Sequence, residues 1–282
     1  MINPIVAIII LVVIIIIVII VIASVYTSKS PSYIPNAPYE ILKHKINTYK
    51  GKRILINYKN TNKEAQWVGI QTGLQHGFDE AHAYDISSID SDFLKRNINI
   101  MSHRKRANYQ LWKPYIILKT LNNCKSEDDI VFYLDSNSYF RRDSSKLFDH
   151  MDHPDHYDIL IFDSKGNRKE YRYTKRDVFI ALDYDIESCA NSNQRTSSYS
   201  GWRNTDKTKK FLQEWLDYCQ NKQLITDDPN NQGKPDYLRF KSHKGDQSIM
   251  SVLSKKYDIK SLSFRTSRDF IINRTVFSSK GK

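Results

Sequence analysis

Short apolar runs alternate with stretches that carry an apolar residue every three or four positions, and this alternation most constrains how the 282-residue chain can fold. "RILINY" (Arg53 to Tyr58), "IVFYL" (Ile130 to Leu134) and "YDILIFD" (Tyr157 to Asp163) are rich in β-branched and aromatic residues and bounded by polar ones, as buried strands are. Among them, Trp67, Ile70 and Leu74 recur at helical spacing. Ile117, Leu118 and Leu121 form the apolar face of a helix whose first turn holds Pro114, and Phe211, Leu212, Trp215, Leu216 and Cys219 make a further stripe. "DQSIMSVLSKKY" and "IKSLSF" read as another helix and strand, with a basic tail beyond Arg265. Short strands alternating with helices predict an α/β domain.

The first segment is of another kind. "PIVAIIILVVIIIIVIIVIA" (Pro4 to Ala23) holds no charge, and at about 1.5 Å per helical residue it spans the roughly 30 Å hydrocarbon core of a bilayer. Residues 1–26 are therefore expected to form a single transmembrane anchor. A cleaved signal peptide is the rival reading, since Val21 and Ala23 supply small residues, but no Lys or Arg precedes the run and it is long for such a peptide. Lys29, Lys43 and Lys45 follow it, which tilts the body toward the cytoplasm by the positive-inside rule; so few charges leave the orientation open, between an ER/Golgi type II-like arrangement and a virus's host membrane. "SKSPSYIPNAP" lacks a hydrophobic period, so residues 27–48 read as a stem and 49–282 as the globular domain.

The formal charge of +12 lies outside the anchor and suits anionic lipid, nucleotides or phosphorylated substrates. Aromatics do not interleave with the basic residues as in nucleic-acid readers, so no nucleic-acid partner is expected. Cys124, Cys189 and Cys219 fit neither a zinc-ligand spacing nor a dense disulfide framework, leaving room for one disulfide at most.

The chemistry concentrates where an apolar strand stops on Asp-Ser-Asn, in "DDIVFYLDSNSYF". In an open α/β sheet the carboxyl ends of strands line the ligand crevice. Asp135 and Asn137, two apart, would bring two oxygens to one hard cation such as Mn²⁺ or Mg²⁺, although the same residues also serve as a plain polar turn. Lys113, beside the Pro-started helix, would favour a diphosphate together with the helix N-terminus, with Trp112 or Tyr109 stacking on a base or sugar; the competing expectation is a core Trp112 and an exposed Lys113. "SHKGDQSIMSVL" adds an imidazole at His243 and, at a helix start, the Asp246–Gln247 pair.

"ANYQLWKPYIILKTLNNCKSEDDIVFYLDS" resembles the core of glycosyltransferases with the GT-A fold, in the nucleotide-diphospho-sugar transferase superfamily. Within that superfamily it resembles a capsular-polysaccharide and giant-virus-like group with WKPY, YLDxx and HxxDQS blocks. The resemblance runs from Arg53 to Lys256 as an ordered series, through "ILINYKNTN", "GLQHGFDEAHAYDISSIDSDFLKRN", "FLQEWLDYCQNKQLITDDPN" and "HKGDQSIMSVLSKK".

The resemblance implies a Rossmann-like mixed central sheet with flanking helices, behind the single N-terminal transmembrane helix. It implies a membrane-anchored glycosyltransferase that moves a sugar from a nucleotide-sugar donor to a glycan, glycolipid or protein acceptor. Mn²⁺ or Mg²⁺ at the donor diphosphate would be held by Asp135, Asn137 and His243. Asp246 would be the carboxylate nearest the donor sugar, and Tyr109, Trp112, Lys113, Asn193, Gln194 and Gln247 the substrate contacts, with Arg195 a further candidate in the polar loop "CANSNQRTSSYSGWRN". Two departures, Asn137 for a second carboxylate and Asn108 where Gly often precedes the Tyr, keep a second expectation alive. This is a catalytically inactive relative that binds glycans or anionic surfaces.

Overall fold

The computed structural model describes residues 41–43, 50–61, 63–103, 107–152 and 158–273. The expected anchor lies outside them, and no helix among the described residues is long and apolar enough to cross a membrane.

The elements that position the site are β1 (Ile41–Lys43), β2 (Arg53–Tyr58), α1 (Lys63–Gln75), β3 (Glu80–Tyr84), α2 (Trp112–Asn122), β4 (Ile130–Leu134) and β5 (Ser138–Phe140) in the first half. The second half supplies β6 (Ile159–Asp163), β7 (Arg195–Arg203), α3 (Asp206–Gln220), α4 (Asp246–Lys256), β8 (Ser261–Leu262), α5 (Phe264–Phe270) and β9 (Ile271–Asn273). The main sheet has the order β1-β3-β2-β4-β7-β6-β8. β2 is parallel to β3 and β4, and β6 is parallel to β8. β7 runs antiparallel to both neighbours, so its middle lies beside the end of β4, where Leu134 faces Tyr199, and its first residues run on past that end. The sheet is mixed, as the resemblance implies.

Every β4 residue is buried, and its side chains alternate between two cores because successive residues of a strand point to opposite faces. Val131 and Tyr133 join the core on the face of α2 and α3, with Ile117, Trp202 and Trp215. Ile130, Phe132 and Leu134 join the core on the face of α1, with Ile70, Leu74 and Phe148. The continuous apolar run thus reflects a strand covered by helices on both sides.

Three differences from the sequence reading bear on the site. The stretch Arg195–Arg203, expected within a polar loop from Cys189 to Asn204, is a nine-residue strand inside the sheet, between β4 and β6. Of the residues beyond Arg265, expected to form a basic tail, 266–273 lie in α5 and β9, and β9 pairs with β5 directly after the Asp-Ser-Asn turn. Ile41–Lys43, placed in the stem by sequence, pairs antiparallel with β3 through Ile41 and His82. Cys124, Cys189 and Cys219 are all free thiols.

Candidate functional site

Strand periodicity decides which way Asp135 faces. Tyr133 lies on the α2 side of the sheet, so Asp135, two residues on, tends to that side too. There the Tyr133 hydroxyl donates to Asp135 Oδ1 at 2.7 Å. Burial pushes the Tyr133 hydroxyl pKa well above its ordinary value, and the Asp135 carboxylate adds to the shift. The turn is closed from both sides: Asp135 N–H donates to Ser198 of β7 at 2.7 Å, and Ser138 N–H donates back to the Asp135 carbonyl at 2.8 Å. Helix α1 presses on it through Gly69, where an added Cβ would stand 2.9 Å from the Ser138 carbonyl oxygen. Any side chain there would push the turn out of place.

Beneath Asp135 lies Lys113, only 1% exposed. Its ammonium is 3.4 Å from Asp135 Oδ1 and 3.3 Å from Asp246 Oδ2, and it donates to the Ser197 carbonyl at 3.0 Å and hydroxyl at 3.2 Å. Ser197 Oγ in turn donates to Asp246 Oδ2 at 2.8 Å. A buried charge persists only when paired and hydrogen-bonded, and here one ammonium serves two carboxylates. Burial raises the Asp246 carboxyl pKa, against the lowering effects of Lys113 and the Ser197 hydroxyl. A bulge in the β6–β7 pairing, where Leu160 faces Gly201 but Phe162 faces Thr196, falls on this part of β7, as bulges often do beside sites.

The structure therefore assigns Lys113 a place below the surface, contrary to both expectations for it. Asp246, expected nearest the donor sugar, is 2% exposed and faces Lys113 rather than a cavity. His243, expected at the metal, is also 2% exposed; its Nδ1 accepts from Lys175 N–H at 3.4 Å and its Nε2 donates to the Leu224 carbonyl at 2.9 Å. Both ring nitrogens bracket backbone. Gln194 is fully buried, its amide donating to Thr174 and Ser248 hydroxyls. Arg195 is buried against Ser254. Asn193 donates to the Ser164 carbonyl at 3.3 Å. Tyr109 is buried in the core, whereas Trp112 is buried yet reaches a cavity wall.

Two glycine-like conformations shape the approach. Ala107, Asn108, Tyr109 and Gln110 all have positive φ, between 48° and 63°, a left-handed turn leading into α2. Asn108 stands where the resembling group often has Gly. Asn is among the non-glycine residues that tolerate this region best, and its amide donates to the carbonyls of Met101 and His103. Gly245, with φ 57° and ψ −125°, precedes α4 and sets the direction in which Asp246 enters the core. An added Cβ would meet the carbonyl oxygens of Ile225 and Tyr109, both at 3.3 Å. Gly245→Ala should cost about 1–3 kcal/mol, seen as a lower midpoint in denaturant melts. A midpoint equal to the wild type's would show that this backbone conformation is not required.

Asp-Ser-Asn stands between two cavities. One, of about 350 Å³, is lined by the rings of Tyr58, Trp112 and Tyr133, the amides of Asn60 and Gln110, and Asp135 to Asn137. Trp112 stacks on Tyr58 at 3.9 Å. The other, of about 440 Å³, is lined by Asn137, hydroxyl residues of β7, Gln247, and basic residues from the segment after β6 and from α5. Asn137 lines both. Of the sequence-predicted residues, Trp112, Asp135, Asn137 and Gln247 reach these cavities, while Lys113 and Asp246 support the turn from beneath. Sequence reasoning missed Tyr58, Ser197 and Arg268, of which only Tyr58, at the end of an evident strand, carried a positional signal.

No family model matches the chain, and no curated protein matches it. Among solved structures, it is similar to apo mouse xyloside xylosyltransferase 1, at 11% identity over 76% of this chain and 84% of that one, with a TM-score of 0.40. It is also similar to the apo bifunctional glycosyltransferase WbbM, at 10% identity over 74% of this chain with a TM-score of 0.40, and to the glycosyltransferase GlyE of Streptococcus pneumoniae TIGR4, at 13% over 76% with a TM-score of 0.35. The chain spans less than half of the last two, 38% and 46% of their lengths.

Proposed function

We propose that the protein transfers a sugar from a nucleotide-sugar donor to a hydroxyl of a glycan, glycolipid or protein acceptor, with residues 1–26 as a single-pass membrane anchor. The observation that carries this reading is the turn Asp135–Asn137 standing as the shared wall of two cavities of different chemistry. Group transfer needs two substrates held with their reacting atoms in contact, and such a wall is where they would meet. The ring-lined cavity suits a nucleoside, whose base stacks on aromatic faces and whose polar edges find amides. The hydroxyl-lined cavity suits the acceptor.

Asp135 and Asn137 offer a carboxylate and an amide carbonyl, oxygen donors of the kind Mn²⁺ and Mg²⁺ take, with donor phosphates and water completing the shell. Such an ion supplies positive charge to the leaving diphosphate when bound. His243 has no part in this set, since both ring nitrogens hold backbone groups. Lys113 keeps the Asp135 carboxylate fixed in orientation, and Asp246 keeps Lys113 fixed in turn. In the transfer itself, the acceptor oxygen bonds to the anomeric carbon as that carbon's bond to the diphosphate oxygen breaks. The electron pair leaves with the nucleoside diphosphate and the hydroxyl proton passes to solvent.

The test is a screen of the purified full-length protein against a panel of sugar nucleotides with and without Mn²⁺, measuring released nucleoside diphosphate. Release with one donor class is expected. No release with any donor, together with retained glycan binding, would make the protein a glycan binder instead.

A further inference from the structure

The cavity on the β7 side of the turn is strongly one-sided in charge. Lys165 and Arg168 reach it from the segment after β6, and Arg268 reaches it from α5, so three cations from two separate parts of the chain converge on it. Among the described residues no carboxylate lines it. None of the three cations forms an ion pair among the described residues, whereas some others do, as at Lys119 with Asp90 and Arg176 with Asp185. Cations held together without counter-charge repel one another, so the arrangement is favourable chiefly when an anion enters. A second, independent feature points the same way. Ser164 is buried to 4% exposure at the cavity wall, and its hydroxyl has no hydrogen-bond partner among the described residues. Phe264 and Ile271 supply an apolar wall of the kind a sugar ring packs on.

We infer that this cavity binds an acceptor sugar carrying an anionic group, a phosphate or a carboxylate, held by Lys165, Arg168 and Arg268. The inference rests on the transfer reading given above, which makes this the acceptor side. Phosphate and carboxylate share the chemistry the cations recognise: both accept paired hydrogen bonds from a guanidinium.

The experiment measures equilibrium binding to the full-length protein of three trisaccharides that end in glucose 6-phosphate, in glucuronate or in glucose. At least one anionic ligand should bind about 10-fold or more tighter than the neutral one, since a charge-assisted contact is worth about 1.5–3 kcal/mol and 1.4 kcal/mol is tenfold. The phosphate and glucuronate arms show which anion is preferred. The double variant R168Q/R268Q, altered at exposed side chains, should reduce that difference about 10-fold or more, with Lys165 left to hold what remains. Added salt should weaken the anionic ligands alone. Equal binding of all three ligands would overturn the inference. So would displacement of the anionic trisaccharide by saturating nucleoside diphosphate, which would give the cations to the donor instead. Failure of every donor in the transfer screen would overturn the transfer reading, yet this binding result would still stand or fall by itself.

Discussion

Replacing Lys113 with methionine is expected to destabilise the fold by about 3–5 kcal/mol at neutral pH, the range for removing one partner of a buried ion pair. The measurement is a denaturant melt, where the midpoint should fall at unchanged slope. The size follows from what remains behind. The variant keeps the Asp246 carboxylate, 3% exposed at its side chain, with only the Ser197 hydroxyl to satisfy it, and keeps Asp135 above it. K113M/D246N should recover much of the loss, because the double variant removes the stranded charge together with its partner. An unchanged K113M midpoint would show that the ammonium does not hold this cluster together.

The same variant has a pH signature with a definite sign. Burial holds the Asp246 carboxyl above its ordinary 3.8, and Lys113 opposes that shift. A carboxyl whose folded pKa is raised contributes stability that is complete below its unfolded value and is lost as pH rises through its folded value. Removing Lys113 raises the folded value further, so the deficit of K113M against wild type should widen as pH rises from the ordinary carboxylate range toward neutrality. It should narrow on acidification. A deficit independent of pH would point to lost packing of the lysine stem instead.

Why the burial of Lys113 is hidden in the sequence, while the place of Asp135 at a strand end is legible, lies in the range of the interactions. "RILINY" and Ile130–Leu134 were legible to the residue, because strands covered on both faces must be continuously apolar. The helical stripes through Ile117, Phe211 and Trp215 were legible from their period, and all three residues are buried. Asp135 then follows from where β4 stops. Lys113 is buried only because Ser197 and Asp246, remote in sequence, surround its ammonium, and no local pattern announces that.

β7 was missed for a related reason. "RTSSYSGWR" reads as a polar loop, yet it lies between β4 and β6, where its small hydroxyl side chains find partners instead of apolar neighbours: Ser197 bonds Asp246, and Ser200 accepts from the Trp202 indole. Strand preference here is set by the neighbours rather than by the residues. Arg268 reaches a cavity because β9 pairs with β5, a long-range contact between two three-residue strands too short to show a period.

Substituting Asp135 is expected to remove transfer while the fold persists. In Asp135→Ala, Lys113 retains Asp246 and Ser197 as partners, but the buried Tyr133 hydroxyl loses its acceptor, so the fold should lose about 1–3 kcal/mol. The strand end instead loses the one carboxylate that lines either cavity among the described residues, since Asp246 is buried beneath and Asn137 is neutral. Losing a group that organises charge around a departing diphosphate costs about 100- to 1,000-fold in turnover by analogy with single electrostatic contacts in other active sites. The check is donor turnover measured with and without Mn²⁺ at matched folded fraction. Asn137→Asp is the opposite probe: a second carboxylate on the exposed side of the turn should preserve transfer and deepen its dependence on Mn²⁺, because two charged oxygens hold a hard cation more tightly than one. Full activity in Asp135→Ala would remove the strand-end carboxylate from the mechanism. Full activity there with an unchanged Asn137→Asp would move the donor diphosphate away from this turn altogether, toward Lys59 of the ring-lined cavity or the cations Lys165, Arg168 and Arg268 of the other.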